Sequence, residues 1–181
     1  MKPVLIESML FPPIPAIGAI VKHSAFIFEA CENYQKRSFR NRFYIAGPNG
    51  IELCSIPLLK GKHQKQLIKD VQIAYYEDWH VGLLRQIQAC YGSAPYFDFL
   101  FPELEHLFTR KYDLLFDLNL KSMELIGQYI DPIQYQGVSK QFRAIIDTST
   151  NLISESFKLQ VRGLNALNFM IFLPIELYDL T

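Results

Sequence analysis

The sequence predicts a mixed α+β fold, in which an early antiparallel β-hairpin and other strands pack against a mainly helical second half. Two patterns carry this prediction. Around the turn at residues 47–50, apolar and polar residues alternate with the period of a strand, whereas from residue 78 apolar residues recur with helical spacing. The 181 residues can bury one core and no repeat or linker divides them, so we expect a single domain over residues 1–181.

Short apolar runs predict further strands on both sides of this hairpin. Residues 4–6 and 25–29 are almost wholly apolar, and residues 68–74, which are apolar at 68, 71, 73 and 74, are also expected to form a strand. Between the first two runs, residues 16–22 are compatible with one or two helical turns, although Gly18 weakens a helix.

The clearest local pattern is the hairpin expected over residues 38–57. The Asn-Gly pair at 49–50 suits its turn, because both residue types tolerate a positive φ. One side of the first strand would be apolar, with Phe39, Phe43 and Ile45. The other side would present three cations from a rigid element: Lys36, Arg40 and Arg42.

Three helices are predicted in the second half. The first begins after Asp78, which can cap it, and ends at residues 92–95. Its apolar stripe has four members: Val81, Leu84, Ile87 and Tyr91. The second spans residues 102–111, and the third runs from Asn119, as its cap, to residue 130.

Aromatic residues and the least regular segments complete the expected fold. We expect four rings to pack towards the same core or cleft wall as the hairpin: Trp79, Tyr91, Phe97 and Tyr112. Residues 60–65 are basic and predict a mobile loop. Residues 140–146 and 164–172 predict short ordered pieces around a polar turn at 148–151.

Charge and composition exclude several classes of function. The 18 Lys and Arg balance the 18 Asp and Glu, and this argues against a nucleic-acid partner. An apolar run near each end is broken by Pro and charged residues, so we expect neither a signal peptide nor membrane insertion. Three separated cysteines, Cys31, Cys54 and Cys90, are typical of a reducing compartment, and we expect a cytoplasmic protein.

Generic catalytic and cofactor motifs are missing from the sequence. It has no phosphate loop, no Rossmann glycine triplet and no nucleophile elbow, and its four histidines are scattered. We therefore expect neither cofactor nor metal, and the sequence assigns no catalytic residue.

Arg40 and Arg42 are the residues that point to a ligand. Two guanidinium groups at alternate strand positions form a pair of planar donors suited to a phosphate or carboxylate. The alternative is a solvated strand face whose cations pair with acids such as Glu52. Sequence alone leaves both open.

Residues 34–42, Tyr-Gln-Lys-Arg-Ser-Phe-Arg-Asn-Arg, resemble the characteristic stretch of the WbqC-like family. These are bacterial proteins encoded among genes for surface polysaccharides such as O-antigen and capsule. The resemblance continues in order through Asn49-Gly50, Ser55-Ile56-Pro57, Lys69-Asp70-Val71, Trp79, Tyr91, Pro95-Tyr96-Phe97 and residues 111–119, with a weaker echo over 157–178.

The resemblance implies a role in surface-glycan assembly. It favours a transferase-like protein, with amino-acyl (glycyl) transfer to a sugar as one reaction, that binds an anionic small molecule such as a nucleotide sugar. With the three cations, it implies a larger set of substrate-binding residues: Tyr34, Lys36, Arg40, Asn41, Arg42, Lys69 and Trp79. The alternative is a non-catalytic member of the family that binds a ligand or a partner enzyme. Oligomeric state, substrate and donor stay open.

The sequence departs from the family pattern at polar positions. Leu83 and Leu84 stand where members often have His and Trp, and Asn168 stands where an Asp is expected. Glu7-Ser8 replaces a common Gln-Pro. Loss of a His and an Asp removes candidate proton-transfer groups, so whether the chain is an enzyme also stays open.

Overall fold

The structure is a computed structural model that describes residues 3–59, 66–130 and 134–140. The predictions for residues 60–65, 141–146, 148–151 and 164–172, and the position of Asn168, lie outside the described residues. The described elements, in chain order, are β1 (Val4–Glu7), α1 (Ile14–His23), β2 (Ala25–Glu29), β3 (Arg42–Gly47), β4 (Gly50–Ser55), a 3-10 helix (Ile68–Asp70), α2 (Trp79–Tyr91), α3 (Phe97–Thr109), α4 (Leu115–Tyr129) and β5 (Gln134–Val138).

Strands β1, β2 and β5 form a parallel sheet in the order β1-β2-β5. Val4 pairs with Phe26 and Glu7 with Glu29, and the β2–β5 register shifts between Phe26 and Phe28. Helix α1 supplies the crossover that a parallel β1–β2 pair requires. The predicted strands at 4–6 and 25–29 are confirmed. The expectation of antiparallel early strands holds only for the hairpin, because strand direction depends on a crossover that apolar runs do not encode.

Strands β3 and β4 form the predicted antiparallel hairpin, with Arg42 opposite Ser55 and Gly47 opposite Gly50. Gly50 has a φ of 126°, a conformation that side chains disfavour, and this explains a glycine at the turn. Phe43 and Ile45 alternate into the core as expected. The strand begins only at Arg42, however, so the residues before it are not on a strand face.

The three predicted helices are present: α2 begins where predicted, whereas α3 and α4 begin earlier in the sequence than predicted. Asp78 precedes α2 but makes no side-chain capping hydrogen bond, and Val81 is exposed while Leu83 takes its place in the buried stripe. Helix α3 begins at Phe97, so Pro102 lies inside it. Asn119 lies inside α4, fully buried, and is not its cap. Residue type alone makes Asn a good candidate for a helix cap. The buried position of Asn119 inside α4 depends instead on partners that are distant in sequence.

The strand predicted over residues 68–74 is wrong. Residues Ile68–Asp70 form a 3-10 helix. Beyond it, Gln72 makes an isolated bridge to Leu114 and Ile73 one to Leu58. The apolar residues of this segment, Ile68, Val71 and Ile73, are all buried in the core.

A core of aliphatic and aromatic side chains joins the sheet, the hairpin and the helices. Phe11 lies 5.2 Å from Phe43 and 5.9 Å from Phe108, measured between ring centroids. Of the four rings expected in the core, Tyr91, Phe97 and Tyr112 are buried, and Trp79 is partly buried against the same cluster. Within the described residues, none of the helices is both long enough and apolar enough to cross a membrane.

Candidate functional site

Arg40 is buried between two carboxylates. Only 2% of the residue is exposed. Its Nε donates to Glu32 Oε1 at 3.0 Å, its Nη2 donates to Glu32 Oε2, and Nη2 lies 3.2 Å from Glu7 Oε2. The expectation that Lys36, Arg40 and Arg42 share an exposed strand face is therefore wrong, because Arg40 lies before the strand and its guanidinium points into the protein.

The parallel sheet brings Glu7 and a third acid, Glu29, to one edge. Glu7 is the last residue of β1, Glu29 is the last residue of β2, and Ser139 directly follows β5. Glu29 Oε1 accepts hydrogen bonds from the Cys31 N–H at 2.7 Å and the Ser139 hydroxyl at 2.5 Å. Crevices outside the carboxyl ends of parallel strands are where ligands bind in many α/β proteins. We call Glu7, Glu29, Glu32 and Arg40 the carboxylate cluster.

Burial and charge act in opposite directions on the central ion pair. Burial raises the pKa of Glu32 to about 7, although the hydrogen bond and charge of Arg40 favour its ionised form. The negative charges of Glu7 and Glu29 add to the increase. For Arg40, burial alone would lower the pKa, but the bonds and charges of Glu32 and Glu7 outweigh it and the pKa is raised. Arg40 therefore stays cationic while Glu32 exchanges its proton near neutrality.

Asn119 connects α4 to this edge. Its Nδ2 donates to the Ser8 hydroxyl oxygen at 3.0 Å and to the Arg40 carbonyl at 2.9 Å. Its Oδ1 is buried and has no hydrogen-bond partner among the described residues. The amide thus joins α4 to the Ser8 side chain, next to Glu7, and to the backbone of Arg40.

A second feature, the basic cleft, lies where the segment before β3 meets the end of β4. Its volume is about 300 Å³. Its lining combines three cations with polar and apolar residues: Tyr34, Lys36, Arg37, Asn41, Arg42, Ile56, Pro57 and Leu58. Of the seven residues expected to bind substrate, four line this cleft: Tyr34, Lys36, Asn41 and Arg42. Arg40 precedes Asn41 in sequence but points into the carboxylate cluster.

Two lining residues of the basic cleft, Tyr34 and Asn41, are held in place by hydrogen bonds. The Tyr34 hydroxyl donates to Asn41 Oδ1 at 2.9 Å, and Asn41 Nδ2 donates to the Ile56 carbonyl at 2.9 Å. Burial raises the pKa of Tyr34, although nearby Arg42 and Arg40 oppose the increase, so the hydroxyl keeps its proton. Both side chains are buried, and their bonds hold the cleft in one shape.

The cations of the basic cleft are not neutralised by described acids. Arg37 has a φ of 58° and turns the chain, and both Lys36 and Arg37 are exposed. Arg42 is partly buried, and its Nε is enclosed without a hydrogen-bond partner among the described residues. Ion pairs of the described residues involve Arg40 and Lys121 but none of these three cations. The cleft is therefore suited to an anion.

Lys69 and Trp79, the other two expected residues, do not line this cleft. Lys69 is exposed on the 3-10 helix. Trp79 donates through Nε1 to the Ala74 carbonyl at 3.0 Å, and its ring lies 5.8 Å from that of Tyr75. Trp79 is therefore a packing residue at the start of α2.

Sequence reasoning missed Glu7, Glu29, Glu32 and Asn119. A signal was present for two of them, because Glu7 and Glu29 each end an apolar strand run, and parallel strands align such ends. The described residues contain no group of three His, Cys, Asp or Glu side chains arranged to hold a metal ion. Leu83 and Leu84 are both buried core residues of α2.

The fold and site define a mixed α+β protein with an acidic sheet edge and a neighbouring basic cleft. The model of the WbqC-like protein family matches residues 7–159 of the sequence, which include both features. The chain belongs to the WbqC-like protein family. No curated protein and no solved structure matches it.

Proposed function

We propose that the chain is a transferase-like protein of bacterial surface-glycan biosynthesis, serving O-antigen or capsule, and that it binds a nucleotide sugar through the basic cleft. The observation that carries this proposal is Arg42, whose enclosed Nε lacks a partner among the described residues. A buried donor without an acceptor is costly, so its partner is expected to be a ligand.

The chemistry of the basic cleft matches a diphosphate group. Lys36, Arg37 and Arg42 supply three positive charges, and a guanidinium group can donate two parallel hydrogen bonds to phosphate oxygens. Ile56, Pro57 and Leu58 add an apolar wall that a sugar or base ring can contact. A volume of about 300 Å³ is at the lower end for small-molecule sites, so part of the ligand would extend into solvent.

The reaction that we propose is amino-acyl (glycyl) transfer to the bound sugar. A second candidate is a non-catalytic family member that binds the same ligand or a partner enzyme. The buried Leu83 and Leu84 favour this candidate, because family members often have a polar His-Trp pair there. Mass spectrometry of the sugar, after incubation with an activated amino-acyl donor, separates the two, since only a transferase adds mass.

Calorimetric titration with UDP-glucose and GDP-mannose tests the binding itself. We expect Arg42→Ala to weaken binding about 10- to 100-fold, corresponding to about 1.5–3 kcal/mol for a charged hydrogen bond. The matched control is Arg85→Ala, an exposed arginine of α2, which should bind like the wild type. Equal affinity of the Arg42→Ala variant and the control would contradict the proposed site.

A further inference from the structure

The carboxylate cluster has more acceptors than its own residues satisfy. The cluster holds three carboxyl groups and one guanidinium group: Glu7 and Glu32 pair with Arg40, and the charge of Glu29 acts on Glu32. Arg40 uses its donors on Glu32 and Glu7. Glu29 receives two hydrogen bonds, both on Oε1.

Two buried oxygen atoms beside the cluster have no donor among the described residues. Glu29 Oε2 belongs to a residue that is 4% exposed, and Asn119 Oδ1 belongs to one that is fully buried. The amide nitrogen of Asn119 bonds to the Arg40 carbonyl and to Ser8, the residue after Glu7. Burying an acceptor without a donor is energetically costly. Both atoms are hydrogen-bond acceptors, so a group that binds them has to be a hydrogen-bond donor.

The edge is also reachable from solvent. The Glu7 side chain is 32% exposed, whereas that of Glu32 is 10% exposed. Glu7 ends β1 at the carboxyl edge of the parallel sheet, where ligands of such sheets commonly enter. Glu7 is therefore the carboxylate of the cluster that a small cationic group can reach from solvent.

We infer that the carboxylate cluster binds a primary ammonium group of an amino sugar. An ammonium group brings one positive charge and three N–H donors, which complements an edge with surplus negative charge and unpaired acceptors. The described residues do not offer three ligands in metal geometry, which favours ammonium over a divalent cation. The inference rests on the proposed function in one respect, because it takes the sugar substrate as the carrier of the amine.

Free glucosamine and glucose test this site without involving the basic cleft. They differ at one position, ammonium against hydroxyl, and ligand-observed NMR gives both affinities. We expect the wild type to bind glucosamine at least tenfold more tightly than glucose. Glu29→Gln keeps Oε1 as an acceptor but replaces Oε2 with a donor, and should abolish the preference. Glu7→Gln, at the more exposed acid, should reduce it even if Glu29→Gln does not fold. Glu103→Gln, on the exposed face of α3, is the matched control.

Two results would overturn the inference: equal affinity for the two sugars, or a preference that survives both Glu29→Gln and Glu7→Gln. A parallel titration with UDP reports on the basic cleft alone. If UDP fails to bind while glucosamine is still preferred and the preference needs Glu29, the proposed function fails and the ammonium site stands. If UDP binds in an Arg42-dependent way but glucosamine is not preferred, only the ammonium site fails.

Discussion

The guanidinium group of Arg40 makes a two-point contact with the carboxylate of Glu32, through Nε to Oε1 at 3.0 Å and through Nη2 to Oε2. Arg42, two residues later, lines the basic cleft instead. The two arginines of this motif thus have different structural environments. Arg40 joins the loop before β3 to the sheet edge, and Arg42 is available to a ligand.

Replacing Arg40 with Ala should destabilise the fold. The variant leaves Glu32 buried and Glu7 without their counter-charge, and breaking a buried ion pair costs about 3–5 kcal/mol. Urea unfolding should show this loss, while Arg85→Ala should stay within about 0.5 kcal/mol of the wild type. An Arg40→Ala variant of unchanged stability that has lost nucleotide-sugar binding would instead assign Arg40 to the ligand site.

The raised pKa of Glu32 predicts how stability depends on pH. Its carboxyl group titrates at about 7 in the folded protein and near 4.5 when unfolded. The folded state therefore binds more protons between these values, so this group's contribution to stability is complete below about pH 4.5 and is lost as the pH rises through 7. The free energy of unfolding, measured at intervals from pH 5 to 8, should fall less steeply for Glu32→Gln than for the wild type. Glu103→Gln should keep the wild-type slope, and parallel profiles for all three proteins would refute the assignment.

Asn119→Ala tests whether α4 is fixed to the sheet edge through its amide. The change leaves the Ser8 hydroxyl and the Arg40 carbonyl without their donor, and about 1–3 kcal/mol of stability should be lost. Gln128→Ala, at an exposed position of the same helix, serves as the control. Equal denaturation midpoints for the two variants would show that the buried amide contributes nothing.

These buried polar contacts mark the limit of what the sequence could predict. Alternation and the Asn-Gly turn were sufficient for the β3–β4 hairpin, because both signals are local. Pairing of β2 with β5 joins residues more than 100 positions apart, as Ala25 with Gln134, and no local pattern encodes it. Lys36 and Arg42 both line the basic cleft, as members of one contiguous motif can, because neighbours in sequence are close in space. The parallel β1–β2 pairing places Glu7 beside Glu29, and the contact of Glu7 with Arg40 joins residues more than 30 positions apart.

Cys54 should be the least reactive of the three cysteines. Burial, then the negative charge of Glu52 and the neighbouring Cys90, raises its thiol pKa to about 12, so the reactive thiolate is scarce. Cys31 and Cys90 are only partly buried. Iodoacetamide labelling at pH 8, followed by mass spectrometry of peptides, should modify these two first and Cys54 only after urea is added. Labelling of Cys54 at the same rate in the folded protein would contradict the burial.

The most direct test of nucleotide-sugar binding in the basic cleft is to map the bound ligand. Adding UDP-glucose to isotope-labelled protein should shift the backbone amide NMR signals of cleft residues: Lys36, Arg37, Asn41 and Arg42. The same addition to Arg42→Ala should shift them little at equal ligand concentration. Shifts confined to residues outside the cleft, or identical shifts in the wild type and Arg42→Ala, would contradict the account.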